Sequence, residues 1–107
     1  SKEKKENFYH GMLLGLLRFR EDWYIKSNAE SGAGYSDILI EIPQKRVGIV
    51  IEMKYAEQGR FDQACEVALK QIREKRYEEK LIEDGMKRVL AYGIACYRKE
   101  CEVKMEK

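Results

Sequence analysis

Residues 36–54 read SDILIEIPQKRVGIVIEMK, and two runs rich in β-branched residues lie on either side of the polar segment PQKR at residues 43–46. Runs of this kind favour β-strands, and so short a connection predicts an antiparallel hairpin. Side chains alternate between the two faces of a strand. Ile38, Ile40 and Ile42 therefore share one face, which we expect to lie in the core.

The pairing of these two strands follows from the position of the turn. If the turn is centred in PQKR, the apolar positions pair with one another: Ile42 with Val47, Ile40 with Ile49, and Ile38 with Ile51. A slip of one residue would instead set isoleucines against Glu52 and Lys54. The favoured register makes Asp37 and Glu52 direct neighbours across the hairpin.

These two acidic residues predict a cation site. Directly opposed residues have Cβ atoms about 4.5–5.5 Å apart, and two carboxylates so placed repel unless a proton or a cation lies between them. Magnesium is commonly held by one or two carboxylates plus waters. Lys54 lies two residues after Glu52 on the same face. Two acids and a lysine around a divalent ion are the groups needed to bind and hydrolyse a phosphodiester.

The alternative is that Asp37 and Glu52 are strand-end charges in solvent, each paired with a lysine or arginine. Their placement on one face together with Lys54 favours a site. Glu41 lies on the same face near the turn, and we interpret it as a solvated charge.

The rest of the chain predicts an α-β-β-β-α-β-β order. Helical spacing of apolar residues indicates helices over residues 2–20 and from residue 61 to about residue 84, the second ended by Gly85. Residues 23–26, 88–97 and 102–105 read as strands, and residues 28–34 as a loop. Gly11 and Gly15 suggest close packing of the first helix against a neighbour. The expected class is α/β or α+β, a mixed sheet with a helix on each face.

The composition is that of one folded domain. The 107 residues are 44% hydrophobic and 37% charged, with one proline, which is unlike a disordered tail. The net charge of +2 is too small to identify a nucleic-acid binder by itself. No apolar stretch approaches the ~20 residues of a membrane span, and the lysine-rich start lacks the features of a signal peptide. We therefore expect a cytoplasmic protein.

The three cysteines are Cys65, Cys96 and Cys101. An odd number without CxxC spacing indicates neither a disulfide framework nor a zinc site. We expect reduced thiols, with Cys96 and Cys101 in contact across a hairpin but not bonded.

Several segments together resemble a known family. They are Asp37 with Glu52-Met53-Lys54 in the hairpin, Glu6-x-Phe8-Tyr9-His10-Gly11 in the first helix, Ser27-Asn28-x-Glu30-Ser31-Gly32 before the hairpin, and Gln71 in the helix after it. The pattern resembles the PD-(D/E)XK nuclease superfamily. More closely, it is similar to the nuclease-like domain at the C-terminus of predicted bacterial and archaeal AAA-ATPase proteins. The resemblance implies a restriction-endonuclease-like core.

The resemblance also implies roles for individual residues. Asp37 and Glu52 would be ligands of Mg²⁺ or Mn²⁺, and Lys54 would be the catalytic lysine. Glu6 would match the first-helix acid of some branches, and Gln71 the polar residue often found on the following helix. Ser36 stands where the motif has proline, a variation that the superfamily tolerates.

The resemblance bears on domain organisation as well. Residues 1–107 would form a single nuclease-like domain of a longer chain. No GxxxxGK[ST] motif is present, so an ATPase domain would lie upstream.

Other polar residues have two interpretations each. His10 is either an ordinary helix histidine or a functional one four residues after Glu6, and Glu30 is either a solvated loop acid or a site residue. The basic residues of the second helix alternate with acids, which is typical of a solvated face, and only Lys70 and Arg73 are candidate phosphate contacts.

Two functions follow from these residues. The first is a metal-dependent nuclease that acts on DNA. The second is a non-catalytic nucleic-acid-binding or assembly module of a larger ATPase protein.

Overall fold

A computed structural model describes the backbone of residues 1–30 and 34–106, and the side chains of these residues apart from 28–30 and 34–36. Its elements follow one another as α1 (Lys2–Leu17), β1 (Tyr24–Glu30), β2 (Gly34–Ile42), β3 (Val47–Tyr55), a 3₁₀ turn (Glu57–Gly59), α2 (Phe61–Glu74), α3 (Tyr77–Glu83), β4 (Arg88–Tyr97) and β5 (Glu100–Glu106). The predicted element order is confirmed, except that the second helix is divided into two.

The five strands form one mixed sheet in the order β1-β2-β3-β4-β5. β1, β2 and β3 are antiparallel neighbours, β3 and β4 are parallel, and β5 pairs antiparallel with β4. The parallel pair requires a crossover connection, which α2 and α3 supply. The predicted mixed sheet with flanking helices is confirmed, and it is consistent with a restriction-endonuclease-like fold.

The predicted hairpin register is confirmed in full, since Ile42 pairs with Val47 and Asp37 with Glu52. The isoleucine face of β2 and β3 packs against α1. The opposite face, which carries Leu39 and Val50, packs against α2 and α3. Because side chains alternate, Asp37 and Glu52 lie on this second face, beneath the crossover helices.

Three expectations about the helices are wrong. The single helix expected to reach residue 84 is broken after Glu74, because Arg76 adopts a left-handed conformation with φ of 55°. Gly11 and Gly15 were expected to pack closely, but a Cβ added at either glycine would have no heavy atom within 4 Å. α1 is also shorter than predicted and ends at Leu17.

The expected loop over residues 28–34 is also partly wrong. β1 continues through Glu30 and β2 begins at Gly34, with a shift in register between Asn28 and Ala29. Residues 31–33 lie outside the described residues. The strand expected at residues 23–26 accordingly runs from Tyr24 to Glu30.

Cys96 and Cys101 face each other across β4 and β5, as expected. The structure joins them by a disulfide, so the expectation of reduced thiols is wrong for this pair. Direct opposition in an antiparallel ladder brings the two sulfur atoms together. Cys65 is a buried free thiol, and burial raises its pKa.

Within the described residues, no helix is both long enough and apolar enough to cross a membrane.

Candidate functional site

Asp37 and Glu52 are buried acidic side chains on neighbouring strands. Their exposed fractions are 1% and 0%, and they are direct partners in the β2–β3 ladder. Burying a carboxylate is costly unless it is paired or binds a cation. The hairpin register therefore brings two buried carboxylates together, and their negative charge must be balanced by cations or hydrogen-bond donors.

Two lysines provide positive charge beside these carboxylates. Lys54 Nζ lies 3.6 Å from Glu52 Oε1. Lys75 Nζ lies 3.0 Å from Asp37 Oδ2 and 3.8 Å from Glu52 Oε2. The expected convergence of Asp37, Glu52 and Lys54 is thus present, and a second ammonium group bridges the two acids.

Lys75 and Tyr77 are the site residues that sequence reasoning missed. Lys75 is one of the basic residues whose alternation with acids predicts a solvated face of the second helix, yet it contacts both acids. The Tyr77 hydroxyl donates a hydrogen bond of 2.7 Å to Asp37 Oδ2. Both residues flank Arg76, where the chain departs from helical geometry. For Lys75 the available signal was its spacing of four residues from Gln71, which places both on one helix face.

Gln71 lies one turn before Lys75 on α2. Its Oε1 atom is buried, and it has no hydrogen-bond partner among the described residues. A buried acceptor without a donor is uncommon and costs free energy. Gln71 thus places a hydrogen-bond acceptor without a described donor on the helix face that covers the two carboxylates.

Glu6 and His10 of α1 contact the sheet at other points. Glu6 Oε2 accepts a 2.9 Å hydrogen bond from the backbone N–H of Tyr55, the residue after Lys54. His10 is buried, and its Nε2 lies 2.7 Å from Ser27 Oγ. Burial lowers the pKa of the His10 imidazole, and the negative charge of Asp37 opposes that shift.

Among the described residues, neither Lys70 nor Arg73 forms an ion pair with the two carboxylates. Arg73 forms an ion pair with Glu106 on β5. Lys70 is exposed. The side chain of Glu30 lies outside the part of the structure that is described.

A cleft opens beside Lys54. Its volume is about 180 Å³, compared with about 30 Å³ for one water molecule in the liquid. The lining includes Lys2, Lys54, Arg60 and Gln63. Lys54 therefore faces an opening with further basic side chains, although Glu57 also lines it and the two buried carboxylates do not.

The acidic pair fits the donor set of a hard divalent cation. Magnesium accepts one or two carboxylates and completes its shell with waters and phosphate oxygens, and Asp37 with Glu52 provides two carboxylates. Among the side chains that the structure describes, no group of three or more His, Cys, Asp or Glu is arranged to hold a metal. Asp37 and Glu52 are therefore the two acidic ligands that the described residues offer to a metal, and Gln71 Oε1 on α2 is a buried acceptor without a described donor.

Comparison with known proteins gives one match. A sequence model of the PD-(D/E)XK nuclease superfamily matches residues 4–106. Comparisons with curated proteins and with solved structures gave no match. The matched span contains both carboxylates, both lysines, Tyr77, Gln71 and Glu6.

Proposed function

Because the chain belongs to the PD-(D/E)XK nuclease superfamily, we propose that it is a metal-dependent nuclease domain that hydrolyses phosphodiester bonds in DNA. Nucleases of this superfamily generally use divalent metal ions. The observation that carries the proposal is the direct cross-strand pairing of buried Asp37 and Glu52 with Lys54 beside them.

Asp37 and Glu52 would hold Mg²⁺ or Mn²⁺. The bound ion would polarise the phosphodiester and make water a stronger nucleophile. Lys54 would stabilise the negative charge that develops on the phosphate, because its ammonium group lies beside Glu52 and lines the open cleft. Gln71 Oε1 would accept a hydrogen bond from a water at the site, which would satisfy its unused acceptor.

Glu6 would act as a positioning residue. Its hydrogen bond to the Tyr55 amide ties α1 to the end of β3. Since Lys54 precedes Tyr55, this contact limits the movement of the backbone that carries the lysine. Correct placement within about an ångström matters strongly for catalysis.

The cleft beside Lys54 supports a nucleic-acid substrate. Lys2 and Arg60 line it together with Lys54, and Lys5 Nζ lies 4.6 Å from the centroid of the Tyr55 ring. Cations near an opening fit the phosphate backbone, which supplies most of the affinity of such complexes. We place the strand that is cut along this cleft.

A second function is favoured by one observation. Lys54 and Lys75 already compensate the two carboxylates without a metal. A domain of this kind would serve as a non-catalytic nucleic-acid-binding or assembly module, with an ATPase domain upstream in a longer cytoplasmic protein.

The two functions are distinguished by a cleavage assay. Labelled single-stranded, duplex and branched DNA, with RNA of matched sequence, are incubated with the protein in Mn²⁺ or in EDTA. The nuclease proposal predicts cleavage only with the metal, and at least a hundredfold loss in Asp37→Asn, Glu52→Gln and Lys54→Met. The first two variants each lose a ligand of the metal, and the third loses the charge that stabilises the phosphate.

Glu41→Gln is the matched control, since it makes the same acid-to-amide change on the same face of β2. It should retain cleavage. Equal cleavage by the wild type and all site variants would show that the site is wrongly assigned. Binding of DNA without cleavage under any metal condition would favour the second function.

A further inference from the structure

We propose that the Lys75 ammonium group is an internal counter-ion that occupies the cation position between Asp37 and Glu52, and that a divalent metal ion binds there only when Lys75 withdraws. This inference rests on the proposed metal-dependent function. It adds a positioning residue that controls metal loading of the same site.

The distances place Lys75 and a metal in competition. Lys75 Nζ is 3.0 Å from Asp37 Oδ2 and 3.8 Å from Glu52 Oε2. A magnesium ion needs its ligand oxygens at about 2.0–2.1 Å. An ion bound between these same two oxygens would occupy the space of the ammonium group. The two cations therefore exclude each other.

The charge balance leads to the same conclusion. Among the described side chains, the two carboxylates and the ammonium groups of Lys54 and Lys75 sum to zero. A cluster without net charge attracts a divalent cation only weakly. Net negative charge within a few ångströms of the ion would strengthen its binding. Withdrawal of one lysine restores a net negative charge to the acidic pair.

Lys75 is the lysine that is able to withdraw. Lys54 belongs to β3, a strand that pairs on both sides, and its side chain is 15% exposed. Lys75 lies between two helices and its side chain is 27% exposed. Rotation about its side-chain bonds carries the ammonium group to solvent without a change in the sheet.

The break between α2 and α3 is what directs Lys75 to the acids. Arg76 has a φ of 55°, which is uncommon for a residue with a side chain. Its two neighbours, Lys75 and Tyr77, both contact Asp37 Oδ2. A regular helix would separate these two residues by about 200° around its axis, at about 100° per residue, so the break allows them to meet at one oxygen atom.

Metal affinity is the decisive measurement. Mn²⁺ alone is titrated by isothermal titration calorimetry into the wild type, Lys75→Met and Lys75→Arg. We expect Lys75→Met to bind at least tenfold more tightly, because the competing charge is gone and the side-chain length is nearly kept. Lys75→Arg keeps the charge and should bind no more tightly than the wild type.

Lys80→Met is the control for net charge, since it removes one exposed lysine from the neighbouring helix α3. Its affinity should stay within about twofold of the wild type, because Lys80 is exposed and the effect of an exposed charge is weakened by solvent and salt. Equal affinity of folded Lys75→Met and wild type overturns the Lys75 proposal alone. Absence of binding in both proteins overturns this proposal and the metal-dependent function together.

If Lys75→Met does not fold, a measurement on the wild-type protein still tests the proposal. Detection of lysine ammonium signals by ¹H–¹⁵N NMR, during titration with diamagnetic Mg²⁺, follows Lys75 directly. We expect a hydrogen-bonded Lys75 signal in the metal-free protein that disappears on saturation. Persistence of that signal at saturation overturns the proposal.

Discussion

The carboxylate of Glu6 accepts a hydrogen bond of 2.9 Å from the backbone amide of Tyr55. This contact joins α1 to the last residue of β3, and Tyr55 also receives a hydrogen bond on its hydroxyl oxygen from Lys5 Nζ. The start of α1 is therefore fixed beside Lys54. The first helix thus contributes to the candidate site through the backbone of β3.

Glu6→Ala should lower the free energy of unfolding by about 1–3 kcal/mol, the cost of losing a hydrogen bond to a charged acceptor and leaving its donor unpaired. Glu6→Gln keeps an acceptor oxygen and should lose less. Urea unfolding measures both variants. Glu21→Ala, an exposed acid after α1, is the control and should change stability by less than about 0.5 kcal/mol. Equal stability of Glu6→Ala and the wild type would contradict the anchoring role.

Tyr77→Phe should lower the free energy of unfolding of the metal-free protein by about 1.5–3 kcal/mol, because it removes a hydrogen bond to the buried Asp37 carboxylate. Thermal and urea unfolding in EDTA measure this loss. Tyr24→Phe makes the same change at a side chain that is 71% exposed, and it should have almost no effect. A loss of similar size in both variants would show that the Asp37 contact is not its cause.

Gly93 lies beside Glu52 in the β3–β4 ladder and directly beneath α2. A Cβ at this position would lie 2.7 Å from the carbonyl oxygen of Cys65 and 3.2 Å from Ala68 Cβ. Gly93→Ala should therefore destabilise the protein by about 1–3 kcal/mol through overpacking. Gly15→Ala is the matched control in open space on α1, and it should stabilise by up to about 1 kcal/mol. Urea unfolding distinguishes these opposite signs.

The acidic pair was predictable because the hairpin is governed by strong local rules. Alternation of isoleucine with polar residues and a four-residue connection leave one register that keeps the apolar face intact. That register alone brings Asp37 to Glu52, as the structure confirms. Neither step requires knowledge of distant parts of the chain.

Lys75 and Tyr77 were not predictable by the same rules. Residues 74–77 read EKRY, with no glycine or proline to mark the break, and the left-handed Arg76 has no signature in the sequence. Residues 28–30 were likewise misread, because pairing with β2 overrides their preference for turns. In both places the tertiary structure decides the local conformation.

The free energy of unfolding should depend on pH because the pKa of Glu41 is raised in the folded protein. Burial, followed by hydrogen bonding to the Asp84 carboxyl group and repulsion from its charge, raises the pKa of Glu41, and attraction to Lys80 opposes the rise. A raised pKa means that the folded state binds the proton more tightly than the unfolded chain. This contribution to stability is fully present below the ordinary glutamate value of 4.5 and is lost as the pH rises through the folded-state pKa.

Glu41→Gln should therefore be more stable than the wild type at about pH 7, and the difference should disappear towards about pH 3.5, where both side chains are neutral. Urea unfolding across this range measures the difference. Glu83→Gln makes the same acid-to-amide change on the exposed surface of α3; it is the control and should change stability by less than about 0.5 kcal/mol. A Glu41→Gln variant that is less stable at neutral pH would mean that attraction to Lys80 exceeds the combined effect of burial and Asp84.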